Sequence, residues 1–320
     1  MQGIFVAVVA AVLFVNGFTD APGAISGVVL THRLSFSRAA ALAAVCNLAG
    51  MLCSLRFFPA VAGTVTELAP AGTAATCTAL LCVAFWGMAA WLFGIPTSES
   101  HALVAALCGV EAAQSGMVGL PFGAIAKVGL GLFLSTLPAA LFGALCVLLC
   151  AFLLGRWDRR RLRAGIDGGL MAGAALSAFF HGAQDGLKFL ALLFCLCPPQ
   201  SEGMRMGFIL FCAGALCLGT ALGGGRIIRG MGRCLSRADG VRLFCADGAS
   251  ALILCACSLL GLPVSTTHVK ACAAFGASGV LRGHVDKQSI LEMLIAWIVT
   301  VPACFLLGYV MFGGYRLLGF

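Results

Sequence analysis

The sequence predicts an all-α integral membrane protein of roughly 8–12 membrane segments, built as two inverted-topology repeats with some helices broken or re-entrant. Three observations predict it. Of 320 residues, 61% are apolar and 10% are charged, with a mean hydropathy of +1.05. A soluble domain carries about 25% charged residues and needs them to cover its surface, so most side chains here have lipid as their solvent. Apolar stretches follow one another along nearly the whole chain. Two short motifs also occur twice, in the same order and at nearly the same spacing.

The apolar stretches run roughly over 3–30, 38–57, 74–95, 102–120, 123–155, 168–197, 204–223, 241–262, 269–281 and 288–313. A bilayer crossing takes about 20 residues. The stretches after Pro96 and after Pro263 are too short or interrupted for a full crossing. Irregular backbone at that depth survives only where it lines a cavity or is buried in protein. The 42 glycines lie inside apolar runs, as expected where helices pack closely. The 17 cysteines are scattered through the same runs. Cys195/Cys197 and Cys255/Cys257 match no common zinc or redox spacing, so the cysteines read as small hydrophobic residues and no disulfide framework is expected. Gly3–Val15 is apolar with no basic residue before Arg33, so it reads as part of the first span and not as a signal peptide.

Asn16-Gly-Phe-Thr-Asp20 resembles His181-Gly-Ala-Gln-Asp185, 165 residues on, and Pro96–His101 resembles Pro263–His268, 167 residues on. The chain therefore divides into a first repeat over 1–155, a basic linker over 156–167 and a second repeat over 168–320. The net charge of +8 is concentrated between apolar runs, in Arg156–Arg163 and Arg226–Arg242. That placement argues against nucleic-acid binding and, by the positive-inside rule, for cytoplasmic loops of a plasma-membrane protein. Arg33 and Arg38 put the end of the first span inside; the second repeat starts inside. Equivalent helices then run in opposite directions.

Asp20 and Asp185 sit within apolar runs, where a carboxylate is costly and needs a partner or a watery cavity. Gly17, Pro22 and Gly23 flank one, and Gly182 and Gly186 the other; such residues break helices and free backbone groups to bind ions. The two Pro-led motifs read as helix starts, whose unpaired N–H groups and dipole suit an oxyanion. Ser98, Ser100, Ser265, Thr266 and Thr267 would add hydroxyl donors. Two such starts facing each other would enclose a tetrahedral anion. Lys188, three residues after Asp185, reads either as its neutralising partner or as an attractor of the anion. Lys127 and Lys270 read as snorkelling to the interface. Asn47 and Asp247 are aligned as residues of corresponding spans, with Asp247 a candidate coupling carboxylate. His101 and His268 read as hydrogen-bonding, structural residues, without metal-ligand spacing.

Through Asn16–Ala24, Ala178–Lys188, Pro96–His101 and Pro263–His268, the chain resembles the Pit-type inorganic phosphate transporter family. Gly219-Thr220, Gly223–Ile228 and Ala296–Pro302 add support. The resemblance implies a helical transporter of inverted repeats that moves phosphate with a proton or a sodium ion. It implies that Asp20 and Asp185 are the signature aspartates and that Ser98, Ser100, Ser265, Thr266 and Thr267 belong to the anion site. The chain departs from the family pattern at Thr19 and Gln184, which stand where Asn usually precedes the Asp. It departs again at Glu99, in place of a hydroxyl residue, and at Asp247, where Glu is frequent. Asn47 matches members of the bacterial proton-coupled type.

Together these readings place Asn16, Asp20, Ser98, Ser100, Asp185, Ser265, Thr266 and Thr267 at the substrate. They place Asp20, Gln184, Asp185 and Asp247 at the coupling ion. The expected partners are inorganic phosphate, the coupling cation H+ or Na+ and the lipid bilayer; a homodimer is compatible, and no nucleic acid, cofactor, metal or catalytic residue is expected. The alternatives are a sulfate or other oxyanion permease of the same fold, a passive anion channel, or a membrane enzyme. The last lacks support, since neither a Gly-x-x-x-x-Gly-Lys loop nor a Ser/His/Asp constellation is apparent.

Overall fold

The computed structural model describes residues 2–94, 97–154, 159–223, 228, 239–281 and 287–319. The described residues form helices joined by short connections. The first half runs α1 (Gln2–Thr19), α2 (Ala21–Leu30), α3 (Phe36–Phe57), α4 (Pro59–Thr66), α5 (Thr73–Phe93), α6 (Glu99–Ser115) and α7 (Phe122–Leu154). The second runs α8 (Arg159–His181), a π-helical turn (Gly182–Gly186), α9 (Leu187–Leu196), α10 (Glu202–Leu222), α11 (Gly240–Leu259), α12 (Thr266–Ser278) and α13 (Lys287–Leu317). Seven segments are long and apolar enough to cross a bilayer, one of them the α1–α2 pair. The continuous run through α8, the π turn and α9 is the counterpart of that pair in the second half.

Pro22 explains the break between α1 and α2. It has no N–H to donate back to the Phe18 carbonyl, while Asp20 still bonds the Asn16 carbonyl and Gly23 closes a tighter turn on Asp20 (both 2.9 Å). The second half has no proline at the equivalent place and inserts its break as the π turn, a feature enriched at functional sites.

The two halves are related by a pseudo-twofold that four reciprocal glycine contacts make explicit. A Cβ on Gly17 would strike the Leu216 carbonyl, and one on Gly182 the Asn47 carbonyl. Gly50 faces Phe179 as Gly219 faces Phe14; Gly109 faces Phe305 as Gly276 faces Ala140; Gly143 faces Ala273 as Gly308 faces Ala106. In every case both partners shift by a constant offset: 165 residues from α1 to α8, 169 from α3 to α10, 167 from α6 to α12 and 165 from α7 to α13. Helices of one half thus cross helices of the other at backbone contact, the geometry that small residues permit between membrane helices.

This relation corrects one alignment. Asn47 of α3 corresponds to Leu216 of α10, and Asp247 lies in α11, whose counterpart by order is α5. The spacing of 200 residues between Asn47 and Asp247 follows none of the observed offsets.

Arg33, just after α2, pairs with Asp167 near the start of α8 (3.0 Å), and Gly240 at the start of α11 packs near Ile166 and Leu170. The end of the first span and the start of its counterpart therefore share one side, so the two run oppositely. Arg242 lies on that side and binds the carbonyls of Val280 and Leu281. The linker expected over 156–167 is instead helical from Arg159, as a run of good helix formers allows. Pro96, Arg156, Arg226, Arg229, Arg233 and Arg237 lie outside the described residues.

α7 and α13 are mostly exposed along their apolar lengths and carry exposed Phe133, Leu141, Leu145, Ile298 and Leu306, the surface expected of helices that face lipid. The described cysteines are free thiols.

Gly276→Ala, which forces a methyl into the Ala140 carbonyl, is expected to lower thermal stability by about 1–3 kcal/mol. Gly214→Ala, in open space, should leave the melting temperature of the detergent-purified protein unchanged within error.

Candidate functional site

The starts of α6 and α12 meet. Ser98 caps α6 by accepting from the His101 amide (3.2 Å), and Ser265 caps α12 by accepting from the His268 amide (3.3 Å). The Ser100 hydroxyl of α6 lies 3.3 Å from the Val264 carbonyl just before α12. Imidazoles of His101 and His268 lie 4.5 Å apart, and His268 stacks on Trp297 at 3.6 Å. Both ring nitrogens of His268 and Nδ1 of His101 have no hydrogen-bond partner among the described residues, so the contact seen here is one of tilted rings, where the sequence suggested hydrogen bonding.

Asp185, delivered by the π turn, is the hub. Its Oδ1 accepts from Lys188 Nζ (2.7 Å) and lies 3.3 Å from Ser100 Oγ; its Oδ2 accepts from Thr266 Oγ1 (3.0 Å) and lies 3.4 Å from His181 Nε2. All are buried or nearly so. Lys188 also donates to Ser100 Oγ (2.6 Å) and to the Val264 carbonyl (2.7 Å). An ammonium has three N–H groups, and all three are used. Lys188 therefore neutralises Asp185 and has no donor left for an anion.

A chain of hydrogen bonds fixes His181. Thr220 Oγ1 donates to the Leu216 carbonyl (2.8 Å) and so accepts from Asn47 Nδ2 (3.1 Å). Asn47 Oδ1 is then the acceptor of His181 Nδ1–H (3.0 Å). This leaves His181 Nε2 as the proton-binding atom, turned to Asp185. Among the described residues, Asp20, His181 and Asp185 are the one set whose ligating atoms converge for a cation, all within 4.8 Å of one another.

Beside this hub lies a small cavity of about 20 Å³, lined by Asp20, Gly23, Ser177, His181, Ser250, Leu254, Thr266, Thr267 and Lys270. Four helices carry its polar groups into one place. Ser177 Oγ is buried without a partner. Ser177 and Ser250 carry no motif and were not singled out in the sequence. Lys270 does not snorkel: it is buried, bonded to the Ala24 carbonyl (2.6 Å) and paired with Asp247 (3.0 Å).

The remaining predicted residues lie around the hub. The Thr19 hydroxyl, with one hydrogen to give, lies between two acceptors, the Val15 carbonyl (2.9 Å) and Glu99 Oε1, while Glu99 Oε2 is buried without a hydrogen-bond partner among the described residues. Asn16 is buried beside Glu99 without a well-formed hydrogen bond. Gln184 turns to Ser258 Oγ (2.8 Å) and the Leu262 carbonyl (3.5 Å).

Comparison with known proteins places the chain in a family. The sequence pattern of the phosphate transporter family matches residues 16–166 and 158–308. The chain belongs to the phosphate transporter family. Its relatives in that family include a probable low-affinity inorganic phosphate transporter of Bacillus subtilis, 30% identical over 92% of this chain and 91% of that protein. A protein of the same description from Rhizobium meliloti is 27% identical over 92% and 90%. A solved structure titled as the sodium-dependent phosphate transporter superposes with a TM-score of 0.84 over 99% of each chain at 18% identity. At that identity the likeness establishes the fold: an α-helical, multi-pass membrane architecture.

Removing one member of the buried Lys270–Asp247 pair strands the other. Lys270→Met is expected to cost about 3–5 kcal/mol of stability, and the double variant Lys270→Met/Asp247→Asn to regain most of it. Thermal unfolding of the three purified proteins measures both.

Proposed function

We propose that this chain imports inorganic phosphate across the plasma membrane with a coupling cation, by alternating access, with its basic loops cytoplasmic. The cavity carries this reading: its small space is lined by hydroxyls of Ser177, Ser250, Thr266 and Thr267, the His181 ring, the Lys270 ammonium and the Asp20 carboxylate. Hydroxyls and an ammonium suit a tetrahedral oxyanion, whereas a carboxylate repels one unless a cation accompanies it. The substrate and the coupling ion are thereby made to enter together. The requirement is physical, since moving a divalent anion against an inside-negative potential of 100 mV costs roughly 4–5 kcal/mol.

The proton is the favoured coupling ion. The converging atoms are two carboxylates and the His181 Nε2 lone pair, all proton acceptors at membrane depth. Sodium, a hard cation, takes oxygen ligands. Asp20 is the exchanging carboxylate; Asp185, Gln184 and Asp247 shape its surroundings through the contacts described above. The reciprocal backbone crossings let one half rock against the other around a site held between them. The reading is one of transport and not of catalysis.

The test is uptake of labelled phosphate into proteoliposomes under separately imposed proton and sodium gradients, with unlabelled sulfate as competitor. Uphill accumulation driven by the proton gradient and resistant to sulfate is expected; saturable sulfate uptake in its place would overturn the substrate, and downhill flux alone would overturn the coupling. Asp20→Asn should reduce gradient-driven accumulation about tenfold or more, measured in the same vesicles.

A further inference from the structure

The two motif aspartates occupy unlike surroundings although the pseudo-twofold relates them. Around Asp185, the Lys188 ammonium is held by a carboxylate oxygen at 2.7 Å, a hydroxyl oxygen at 2.6 Å and a backbone carbonyl at 2.7 Å. Carboxylate, hydroxyl and carbonyl are the oxygen donors that proteins place around a hard cation, and freed carbonyls serve this purpose in transporters of inverted repeats. The ammonium has no fourth donor and reaches nothing else.

The offsets of 165 and 167 residues give the mirror position. Ser100 maps to Thr267, Val264 to Thr97, Thr266 to Glu99 and Lys188 to Gly23. The mirror position therefore keeps a carboxylate in Asp20, a hydroxyl in Thr267 and a carbonyl in Thr97, but has no ammonium. Glycine stands in its place, and Gly23, Asp20 and Thr267 line the open cavity. A second carboxylate, Glu99, replaces the Thr266 hydroxyl, with Oε2 buried and unpartnered. Lys270 borders the same cavity but is bonded to Asp247 and to the Ala24 carbonyl. One position thus holds its own cation, while the other presents the Asp20 carboxylate to a cavity, with Glu99 buried against Thr19 as a second carboxylate of the mirror set.

We propose that Lys188 is a tethered cation that permanently fills the second-half cation position, so that only the Asp20 position takes up and releases a cation from solution. The occupancy stands on the geometry; its consequence, one exchanging cation position per cycle instead of two, rests on the transport reading above. An ordinary structural ion pair would share the Asp185 contact but has no reason to accept a soluble cation once the lysine is removed.

The experiment is Lys188→Ala, which leaves Asp185, Ser100 and the Val264 carbonyl around a vacated space. Purified variant and wild type are melted in choline buffer and in about 100 mM ammonium or sodium, where the variant's melting temperature should rise by about 3 °C more than that of the wild type. In proteoliposomes the variant's phosphate uptake should be lost in choline, restored by external ammonium or sodium, and driven by that cation's gradient. If the alanine variant cannot be purified, Lys188→Gln, which keeps amide hydrogens for two of the three acceptors, carries the same comparison. A variant whose melting responds to ammonium and sodium no more than the wild type would overturn the proposal. The melts need no phosphate, so a wild type that accumulates no phosphate would overturn the transport reading and leave the tethered cation to be decided separately.

Discussion

A carboxylate buried where no water can solvate it must find its counter-charge within the protein, and Asp185 sets that demand at the centre of this molecule. The Lys188 ammonium, the Ser100 and Thr266 hydroxyls and the His181 ring meet it. These groups come from both halves, so the halves must approach until the starts of α6 and α12 touch. Backbone contact at Gly109, Gly143, Gly276 and Gly308 permits that approach. The π turn at Gly182–Gly186 belongs to the same solution: its extra residue turns Asp185 inward while α8 and α9 continue as one run.

The two halves meet this demand differently. The second half pairs its carboxylate with a lysine of its own helix turn. The first half keeps Asp20 beside a cavity, with Gly23 leaving space and Glu99 adding a further negative charge. Electrostatics makes the halves unequal partners: one is neutral and closed, the other acidic and open. A fixed positive charge at one position and a missing one at the other give the direction in which a cation can act. His181 joins them, held by Asn47 and Thr220 on one ring nitrogen and turned to Asp185 with the other.

Much of this was legible in the sequence because it is local or repeated. The span positions follow from hydropathy, the helix starts at Ser98 and Ser265 from the proline-led motifs, and the pseudo-twofold from two motif pairs 165 and 167 residues apart. What was not legible depends on contacts between distant elements. Lys270 reads as an interfacial lysine until α2 and α11 place the Ala24 carbonyl and Asp247 around it. Ser177 and Ser250 carry no motif; they matter because their helices bring them to the cavity. Asn47 and Asp247 looked like counterparts as polar residues at similar depth, yet Asn47 stands opposite Gly182 where its own counterpart Leu216 stands opposite Gly17. The resemblance to phosphate transporters supplied the roles expected of Asp20 and Asp185, and the geometry puts the two carboxylates in unlike surroundings.

The proposed transport cycle requires that a cation taken up at Asp20 pull phosphate across the membrane. The most direct measurement is the reversal potential of phosphate-dependent current in a reconstituted bilayer, recorded while the proton gradient alone is varied at fixed phosphate. Tight coupling requires the potential to move with the proton gradient in fixed proportion. A reversal potential that follows only the phosphate gradient would contradict it.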